Sequence, residues 1–331
     1  MDIDFVILWV NGNDPVWIDS FNRYSPKKRD TSIDIQKERY RDNGLLRFWF
    51  RGIETNAPWV RRIYFITNGQ KPNWLNIDSK KLFWVKHEDF MPHEYLPTFN
   101  CNPIHIYLHK INGLAKKFVL FDDDMYLINP IEKNHYYKNN LPRDYAILRP
   151  LKIPDFFSHL LMNNMIEINR HFQKNEILKK NILKYFNYRY GIKHFIPSYY
   201  FSKVNNFPGF YTKHFSQPFL KKTFEEVWLH CNEALEATSH NRFRTIADVT
   251  QYLFRYWQLA KGDFFPETVN RHRKKYNVAV SNKEQIIKTL KNKHIKELCL
   301  NDTDCPDEIY VELLNHFGSK FPNKSSFELW V

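Results

Sequence analysis

The strongest constraint on the fold is a series of short apolar runs, each followed by a polar loop. The runs are IDFVILWV (residues 3–10), RIYFITN (62–68), LFWVKH (82–87) and KFVLF (117–121). β-Branched and aromatic residues without polar interruption are typical of strands that are buried on both faces. A helical pattern over residues 103–113 precedes the fourth run. Alternating strands and helices predict an α/β fold, Rossmann-like or GT-A-like, with a mostly parallel sheet flanked by helices.

The segment between the first two runs predicts a loop and then a helix. Residues 18–41 are polar and charged, which indicates a loop. Asp42 has the side chain of a helix N-cap, and apolar residues at helical spacing follow it. Pro58 ends this helical pattern.

Helical patterns dominate the second half of the chain. Residues 155–190 hold two amphipathic segments, which predict a helical insert or lid, and further helical patterns cover 216–236 and 246–260. The sequence has no internal repeat and no long low-complexity linker. We therefore expect a single catalytic unit over residues 1–331, with the insert at 155–190 embedded in it.

The net charge indicates the chemistry of the partners. Lysine and arginine total 49 against 36 aspartate and glutamate residues, which gives +13. A basic surface suits phosphates, as in nucleotide sugars, nucleic acids or anionic lipids. Because the sequence has no zinc-finger, basic-region or RNP pattern, we expect no nucleic-acid partner.

Cysteine usage and hydropathy predict the compartment. The four cysteines include no CxxC pair, so we expect no zinc site. The residues before the first apolar run are acidic, and those after it are polar. This is the wrong order for a signal peptide. We expect a reduced, cytoplasmic protein whose membrane contact, if any, is peripheral.

Three successive aspartates follow the fourth run in FVLFDDDMYL, residues 118–127. Asp122, Asp123 and Asp124 would leave the sheet at the carboxyl end of a buried strand. Carboxylates this close repel one another. A divalent cation would offset the repulsion because hard cations prefer carboxylate oxygens. The alternative is an acidic turn that water solvates.

Polar residues follow the other predicted strands as well. Asn11 and Asp14 come after the first run, and Asn68 ends the second. The carboxyl ends of parallel strands lie at one edge of a sheet, where α/β proteins bind ligands. We therefore expect these loops to gather beside the three aspartates.

Arginines and one histidine are further candidates. The segment RYRDNGLLRFWFR contains Arg39, Arg41, Arg47 and Arg51. Their planar guanidinium groups can donate paired hydrogen bonds to phosphate oxygens, and the last two would share a helix face. His214, which precedes a predicted helix, has the side chain of a general acid or base. The alternatives are a solvated basic helix face and a structural histidine.

The N-terminal segment DIDFVILWVNGNDPVW resembles the opening block of the Stealth family. The resemblance continues through RYRDNGLLRFWFRGIETNAPWVRRIYFITNGQKPNWL and LPTFNCNPIH to FVLFDDDMYL. A third block is similar around HFSQPFLKKTFEEVW and FRTIADVTQYLF, and a fourth from LCLNDT to FPNKSSFE. The family includes bacterial capsule and exopolysaccharide hexose-1-phosphate transferases and the animal lysosomal-enzyme N-acetylglucosamine-1-phosphotransferase.

Some features depart from the family pattern. Relatives often carry Asn-Asp-Asp where this chain has Asp122, Asp123 and Asp124. The segment HFSQP lacks the second histidine of the animal enzyme, and the long regulatory insertions of that enzyme are absent. The resemblance therefore implies a compact bacterial enzyme that does not recognise a protein.

The resemblance implies transfer of a hexose-1-phosphate or N-acetylhexosamine-1-phosphate from a UDP-sugar to a hydroxyl of an acceptor glycan. The acceptor attacks the β-phosphorus, the product is a phosphodiester, and UMP leaves. A divalent metal, Mg²⁺ or Mn²⁺, and arginines would stabilise the charge that builds on the leaving phosphate. His214, or else Asp123 or Asp124, would take the hydroxyl proton.

The resemblance carries over three groups of site residues. The catalytic group is His214, Asp123, Asp124 and Arg244. The metal group is Asp123, Asp124, Asn301 and Asp302. The substrate-binding group is Asn11, Gly12, Asp14, Arg39, Asp42, Asn43, Arg47, Asn68 and Asp248. Of these, Arg39, Arg47 and Arg244 would clamp phosphate, and Gly12 would let the backbone approach the nucleotide closely.

Two other functions stay open from the sequence. A metal-dependent glycosyltransferase would release UDP, and a lectin-like or phosphate-binding module would bind without turnover. The acceptor is either free or lipid-linked. In the second case the positive charge would favour peripheral association with the inner face of the plasma membrane.

Overall fold

A computed structural model of the chain describes residues 2–26, 32–152, 155–269, 272–303 and 305–329. Its centre is a five-stranded sheet that helices and smaller sheets surround. The strands in chain order are β1 (Asp4–Leu8), β2 (Ile33–Asp34), β3 (Ile63–Thr67), β4 (Leu82–Lys86), β5 (Lys117–Phe121), β6 (Met125–Leu127), β7 (Tyr137–Lys138), β8 (Leu141–Asp144), β9 (Gln217–Leu220), β10 (Arg244–Thr245), β11 (Phe265–Pro266), β12 (Arg273–Asn277) and β13 (Glu297–Asn301). The α-helices are α1 (Pro15–Tyr24), α2 (Leu46–Asn56), α3 (Cys101–Ile106), α4 (Phe156–His171), α5 (Lys174–Tyr185), α6 (Ile192–Phe201), α7 (Lys221–His230), α8 (Asn232–Ser239), α9 (Gln251–Lys261), α10 (Lys283–Lys291) and α11 (Asp307–Lys320).

The central sheet has the strand order β4-β3-β1-β5-β9. The first four strands are parallel to their neighbours, and the edge strand β9 is antiparallel to β5. In the middle of the sheet, Val6 lies beside Tyr64 on one side and Leu120 on the other. The predicted α/β fold with a mostly parallel, helix-flanked sheet is therefore confirmed.

Apolar packing covers both faces of this sheet. Phe5 of β1 belongs to a buried cluster that includes Trp49 of α2. The next residue, Val6, belongs to a second cluster that includes Phe254 of α9. Successive side chains of a strand point to opposite faces, so a strand covered on both sides needs apolar residues at every position. This explains why the four runs show no polar alternation.

Helices α4, α5, α7, α8 and α9 contribute to the second of these clusters, whereas α10 and α11 contribute to the first. α4 and α5 lie within the predicted insert at residues 155–190, and α6 extends the helical segment to Phe201. Met165 of α4 and Leu178 of α5 share their buried cluster with Val6 of the central sheet. Across the described residues, none of the helices combines the length and the apolar character needed to cross a bilayer.

The loop predicted at residues 18–41 is wrong for most of the part that the structure describes. It contains the larger part of α1, the short strand β2 and a 3₁₀ turn at Lys37–Arg39, while residues 27–31 lie outside the described residues. Asp14 caps α1, because its Oδ1 accepts a hydrogen bond from Trp17 N at 2.9 Å, and Pro15 occupies the first turn. Both residues are start signals of a helix. The polar exposed side of α1 gave this segment the composition of a loop.

The prediction that Asp42 is an N-cap is also wrong. Helix α2 begins at Leu46, four residues later, and Oδ1 of Asp42 accepts a hydrogen bond from Gly44 N at 3.0 Å. Oδ1 of Asn43 likewise accepts one from Leu45 N at 3.1 Å. These contacts form Asx turns that lead into the helix.

Two further helix predictions have different bounds in the structure. The first residues of the predicted helix 216–236 form β9, and α7 and α8 follow it. The helix predicted at 103–113 is the shorter α3, which ends at Ile106 before a 3₁₀ turn at Leu108–Lys110. In the first case pairing with β5 at the sheet edge overrides the local helical pattern.

Candidate active site

The three aspartates leave β5 where the central sheet meets a second sheet. This second sheet has the strand order β12-β13-β6, and β6 follows the aspartates directly. Met125 of β6 pairs with Cys299 of β13, and Leu300 N donates a hydrogen bond to the main-chain oxygen of Asp124 at 2.8 Å. The end of β13 therefore lies against the aspartate run.

His214 reaches the same place from the segment before β9. Because β9 is antiparallel to β5, residues that precede β9 lie beside residues that follow β5. Nε2 of His214 lies 3.2 Å from Oδ2 of Asp124 and 3.6 Å from Oδ2 of Asp122. The fold thus joins two predicted catalytic residues that are 90 positions apart.

The contact between His214 and Asp124 shifts the pKa of both groups. Burial alone would lower the pKa of His214, but Asp124 and Asp122 raise it above its ordinary value. Burial would likewise raise the pKa of Asp124, but His214 and the thiol of Cys299 hold it below its ordinary value. Both shifts have the same cause, because the protonated ring and the ionised carboxylate attract each other.

Asp123 lies in the opposite electrostatic environment. Burial raises its pKa well above the ordinary value, and the negative charges of Asp124, Asp122 and Asp42 add to the shift. Oδ1 of Asp124 is buried and accepts no hydrogen bond from any described residue. Unbalanced carboxylates and an unpaired buried oxygen are what a hard divalent cation would satisfy. The residues present therefore fit such a cation.

Cys299 is a hydrogen-bond donor in this site. Its Sγ lies 3.2 Å from Oδ2 of Asp124, and the donor atoms of Asp124, His214 and Cys299 all lie within 4.8 Å of one another. Burial raises the pKa of Cys299 well above its ordinary value, and Asp124 raises it further. The thiol therefore keeps its proton and directs it at the aspartate.

The two predicted metal ligands after β13 differ in their availability. Asn301 directly follows Leu300, whose main-chain nitrogen donates to Asp124. Nδ2 of Asn301 donates a hydrogen bond to Oδ1 of Asn277 at 3.1 Å. Both oxygens of Asp302 accept hydrogen bonds from Arg41, at 2.7 and 2.8 Å, and Tyr310 donates another at 2.6 Å. Metal ligation by Asp302 does not fit the structure, because Arg41 already neutralises its carboxylate.

His105 of α3 belongs to the site, although the sequence did not single it out. Its Nε2 lies 3.7 Å from Oδ1 of Asp122, whose other oxygen faces His214. Burial lowers the pKa of His105 to about 4, although Asp122 acts in the opposite direction. The carboxylate of Asp122 thus lies near two histidines whose pKa values shift in opposite directions. The histidine stands in the NPIH segment of the family pattern, which was its one signal in the sequence.

Two of the three predicted phosphate-clamp arginines converge on one carboxylate. β10 pairs with β2, which places Arg244 opposite Asp34. Nη1 of Arg244 and Nε of Arg39 lie 3.5 and 3.1 Å from the same Asp34 oxygen. Nη2 of Arg244 also donates to Sγ of Cys101 at 2.8 Å. The charge of Arg244 also lowers the pKa of His105, so this cluster lies within electrostatic reach of the histidine beside Asp122.

The other arginines of the same segment have different neighbours. The guanidinium of Arg47 lies over the ring of Trp74, 5.1 Å from its centroid. Arg51, predicted to share a face with Arg47, makes two hydrogen bonds of 2.7 Å to Glu328 and so holds the C-terminal segment. Of this helix pair, Arg47 alone stays a candidate for phosphate.

Asp248 is fully buried, which does not fit the predicted direct contact with substrate. Its two oxygens accept five hydrogen bonds of 2.7–3.1 Å. The donors are Nδ2 of Asn100, Asn102 and Asn241, together with the main-chain nitrogen and Oγ1 of Thr245. Because Thr245 follows Arg244, this carboxylate fixes the strand that presents the arginine.

The loops after β1 and β3 contact each other through Gln70. Asn11 N donates to Oε1 of Gln70 at 3.0 Å, and Nε2 of Gln70 donates to Asn11 O at 2.9 Å. Asn68 is exposed beside them. A Cβ at Gly12 would lie 2.6 Å from the main-chain oxygen of Tyr40, to which Gly12 N donates. A contact within the protein thus requires glycine here, and the close approach of a nucleotide to Gly12 stays a prediction.

Comparisons with known proteins identify the family of the chain. Residues 1–29 match the family model for Stealth protein CR1, conserved region 1, and residues 39–144 match Stealth protein CR2, conserved region 2. A capsular polysaccharide phosphotransferase, WcwK, of Streptococcus pneumoniae is 39% identical and covers 98% of each chain. The receptor polysaccharide phosphotransferase WefC of Streptococcus gordonii is 35% identical over 99% of each chain. The exopolysaccharide phosphotransferase cps2G of Lactiplantibacillus plantarum is 36% identical over 99% of this chain and 96% of its own.

Solved structures show more distant similarity. Mouse xyloside xylosyltransferase 1 superposes with a TM-score of 0.40 and 9% identity, over 91% of this chain and 98% of that one. The galactosyltransferase LgtC, solved with donor and acceptor sugar analogues, superposes with a TM-score of 0.38 and 10% identity over 96% of each chain.

Proposed function

The chain belongs to the Stealth family and is a phosphotransferase, and we propose that it transfers a hexose-1-phosphate or N-acetylhexosamine-1-phosphate from a UDP-sugar to a glycan hydroxyl. The product is a phosphodiester, UMP leaves, and the reaction builds a bacterial surface polysaccharide. Full-length relatives that are named polysaccharide phosphotransferases support the reaction class and the acceptor class. The placement of His214 against Asp122 and Asp124 is the structural observation that carries the proposal.

His214 is the proposed base. The carboxylates that raise its pKa make the neutral ring a stronger proton acceptor. Nε2 takes the proton of the acceptor hydroxyl, the hydroxyl oxygen forms a bond to the β-phosphorus, and the bond from that phosphorus to UMP breaks. The sugar C1–O bond is not touched, which distinguishes this reaction from glycosyl transfer. Asp123 and Asp124 stay the competing candidates for the base.

Neutralisation of the negative charge on the diphosphate is the second requirement of the reaction. Arg244 and Arg39, which share Asp34, would donate to phosphate oxygens as charge builds on the leaving UMP, and Arg47 is a third candidate. Asp123 and Asp124 would hold Mg²⁺ or Mn²⁺, with Asn301 as a further ligand. When bound, this ion supplies charge neutralisation and Lewis-acid polarisation of the phosphate.

The remaining predicted substrate-binding residues are proposed to contact the substrate. Asn11, Asp14, Asn68, Asp42 and Asn43 lie in the loops after β1 and β3 and before α2. Asp42 is close enough to Asp123 to raise its pKa, so the loop before α2 borders the site.

Nucleotide analysis tests the reaction. The purified chain is incubated with a panel of UDP-sugars, an acceptor glycan and Mg²⁺ or Mn²⁺, and the nucleotides are separated by chromatography. UMP formation that depends on the acceptor is expected. UDP as the sole nucleotide product would replace the proposal with a metal-dependent glycosyltransferase, and binding without turnover would replace it with a sugar-binding module.

The location of the enzyme is part of the same proposal. We place it in the cytoplasm, peripherally associated with the inner face of the plasma membrane, with a lipid-linked acceptor glycan. The net charge of +13 supports contact with anionic headgroups.

A further inference from the structure

Helix α6 exposes its apolar side to solvent. Ile192, Phe195, Ile196, Tyr199 and Tyr200 are all exposed, Ile192 at 77% and Tyr200 at 68%. Their spacing, i, i+3, i+4, i+7 and i+8, places them on one side of a helix. These five residues are called the α6 face below. In a globular protein such a stripe normally faces the core. Its exposure here indicates a surface that binds another molecule.

The inward side of α6 carries a small polar residue, and Phe201 at the end of the helix packs against the second core cluster. Ser198 is the buried residue of this helix, and its Oγ accepts a hydrogen bond from Leu148 N at 2.9 Å. The helix is therefore anchored on the protein through a polar contact, which fixes the outward direction of the α6 face.

Apolar residues of the preceding segment extend this surface. The ring of Phe186 lies 5.7 Å from that of Phe195, so the end of α5 is next to the start of α6. Leu183 and Tyr188 in the same stretch are each about four-fifths exposed. The exposed apolar residues thus form a group and are not scattered singly over the surface.

The charged residues of the chain segment that carries the α6 face are all basic. Residues 177–206 contain five lysines and one arginine and no aspartate or glutamate. Lys203 lies 4.6 Å from the ring centroid of Tyr199, and Arg189 lies 4.7 Å from that of Tyr188. Each of these cations thus lies beside an exposed aromatic ring.

We propose that the α6 face docks the enzyme on an anionic lipid bilayer. Apolar and aromatic side chains would enter the boundary between headgroups and acyl chains, while the lysines reach the lipid phosphates. The inference deepens the peripheral association named under the proposed function and rests on that part of it alone. It assigns the contact to one helix and to lipids of negative charge.

The charge pattern favours a bilayer over a second copy of the chain. A two-fold dimer would bring the same surface of both subunits together. Lys193 and Lys203, exposed on α6 and just after it, would then approach their counterparts in the other subunit and repel them. A bilayer rich in phosphatidylglycerol supplies the opposite charge and an apolar interior together.

Vesicle sedimentation of the full chain tests the proposal. The chain is expected to bind vesicles that contain phosphatidylglycerol, to bind neutral phosphatidylcholine vesicles at least about tenfold more weakly, and to lose binding as salt rises. Ile196→Ser combined with Tyr200→Ser is expected to lower the partition coefficient at least about tenfold. A Lys193→Gln, Lys203→Gln pair is expected to reduce the salt dependence.

Matched controls distinguish binding through the α6 face from nonspecific apolar binding and from effects on catalysis. Leu229→Ser with Val311→Ser removes two exposed apolar residues from α7 and α11 and should leave vesicle binding unchanged. Release of UMP with a soluble acceptor should be equal in all variants, so a failed reaction and a failed docking surface give different results. Absent binding to phosphatidylglycerol, equal binding by the α6 variant, or a solution dimer that this variant dissolves would each overturn the proposal.

Discussion

Nε2 of His214 lies 3.2 Å from Oδ2 of Asp124, at the junction of the central sheet with the sheet formed by β12, β13 and β6. The first prediction concerns this contact. In Asp124→Asn the pKa of His214 should fall, because the negative charge that favours the imidazolium is lost. The turnover number should fall about a hundredfold or more. NMR titration of the His214 ring and the pH profile of UMP release measure the two effects. Asp19→Asn, on the exposed side of α1, is the control, and an unchanged His214 titration in Asp124→Asn would contradict the assigned contact.

Loss of the base should affect turnover more than donor binding. His214→Gln is expected to lower kcat by about 10²–10⁴-fold while KM for the UDP-sugar changes little, because the ring acts on the acceptor proton. Steady-state kinetics with varied donor and acceptor measure both constants. His93→Gln, at an exposed histidine, should behave like the original chain. A His214→Gln enzyme with near-normal kcat would move the role of base to Asp123 or Asp124.

Metal dependence should distinguish Asp123 from Asp302. Chelation is expected to abolish UMP release, and Mg²⁺ or Mn²⁺ to restore it. Asp123→Asn should raise the metal concentration that gives half of the maximal rate. Asp302→Asn should leave that concentration unchanged and lower the melting temperature, since its carboxylate pairs with Arg41. The reverse pattern would return Asp302 to the metal site.

Two arginine variants should separate phosphate binding from structural support. Arg244→Lys keeps the charge but loses the planar fork, so kcat/KM for the UDP-sugar should fall at least about tenfold. Arg51→Lys should mainly lower stability, because Arg51 makes two hydrogen bonds to the buried Glu328. Kinetics and thermal unfolding of both variants are compared. Equal kinetic losses in the two would argue against a phosphate role specific to Arg244.

A buried histidine away from the site should make stability depend on pH. His109 is 5% exposed, and burial lowers its pKa to about 4. The unfolded chain binds this proton with an ordinary pKa of about 6.5, so stability from the neutral ring is complete above that pH and is lost as the pH falls towards 4. At pH ~5 the loss should reach about 2 kcal/mol. Urea denaturation of the original chain and of His109→Phe at neutral and acidic pH measures it, and an equal pH dependence in both would contradict the assignment.

The central sheet could be predicted from the sequence because a local pattern of apolar residues specifies its strands. Phe5, Val6 and Ile7 are apolar and buried at consecutive positions, and a strand covered on both faces needs this pattern. The helix after Asp14 could have been predicted from the capping aspartate and Pro15. The edge strand β9 could not, because its pairing with β5 joins segments about 100 residues apart and its local pattern is helical.

The site residues that the family pattern marks could be predicted from the sequence. The roles that depend on contacts between distant parts of the chain could not. The contact between His214 and Asp124 follows from antiparallel β9, which the sequence did not show. Asp302 has the side chain of a metal ligand, and only the fold reveals that it pairs with Arg41, 261 positions away. The assignment of His105 depends on its burial beside Asp122, which no spacing in the sequence encodes.

The fate of the β-phosphate tests the central claim most directly. A UDP-sugar with radioactive phosphorus in its β-phosphate is incubated with the enzyme, the acceptor glycan and a divalent metal, and the products are separated. If the acceptor hydroxyl attacks the β-phosphorus, the label appears in the glycan as a phosphodiester and the released UMP carries none. Recovery of the label in UDP, with an unlabelled glycan, would contradict the account.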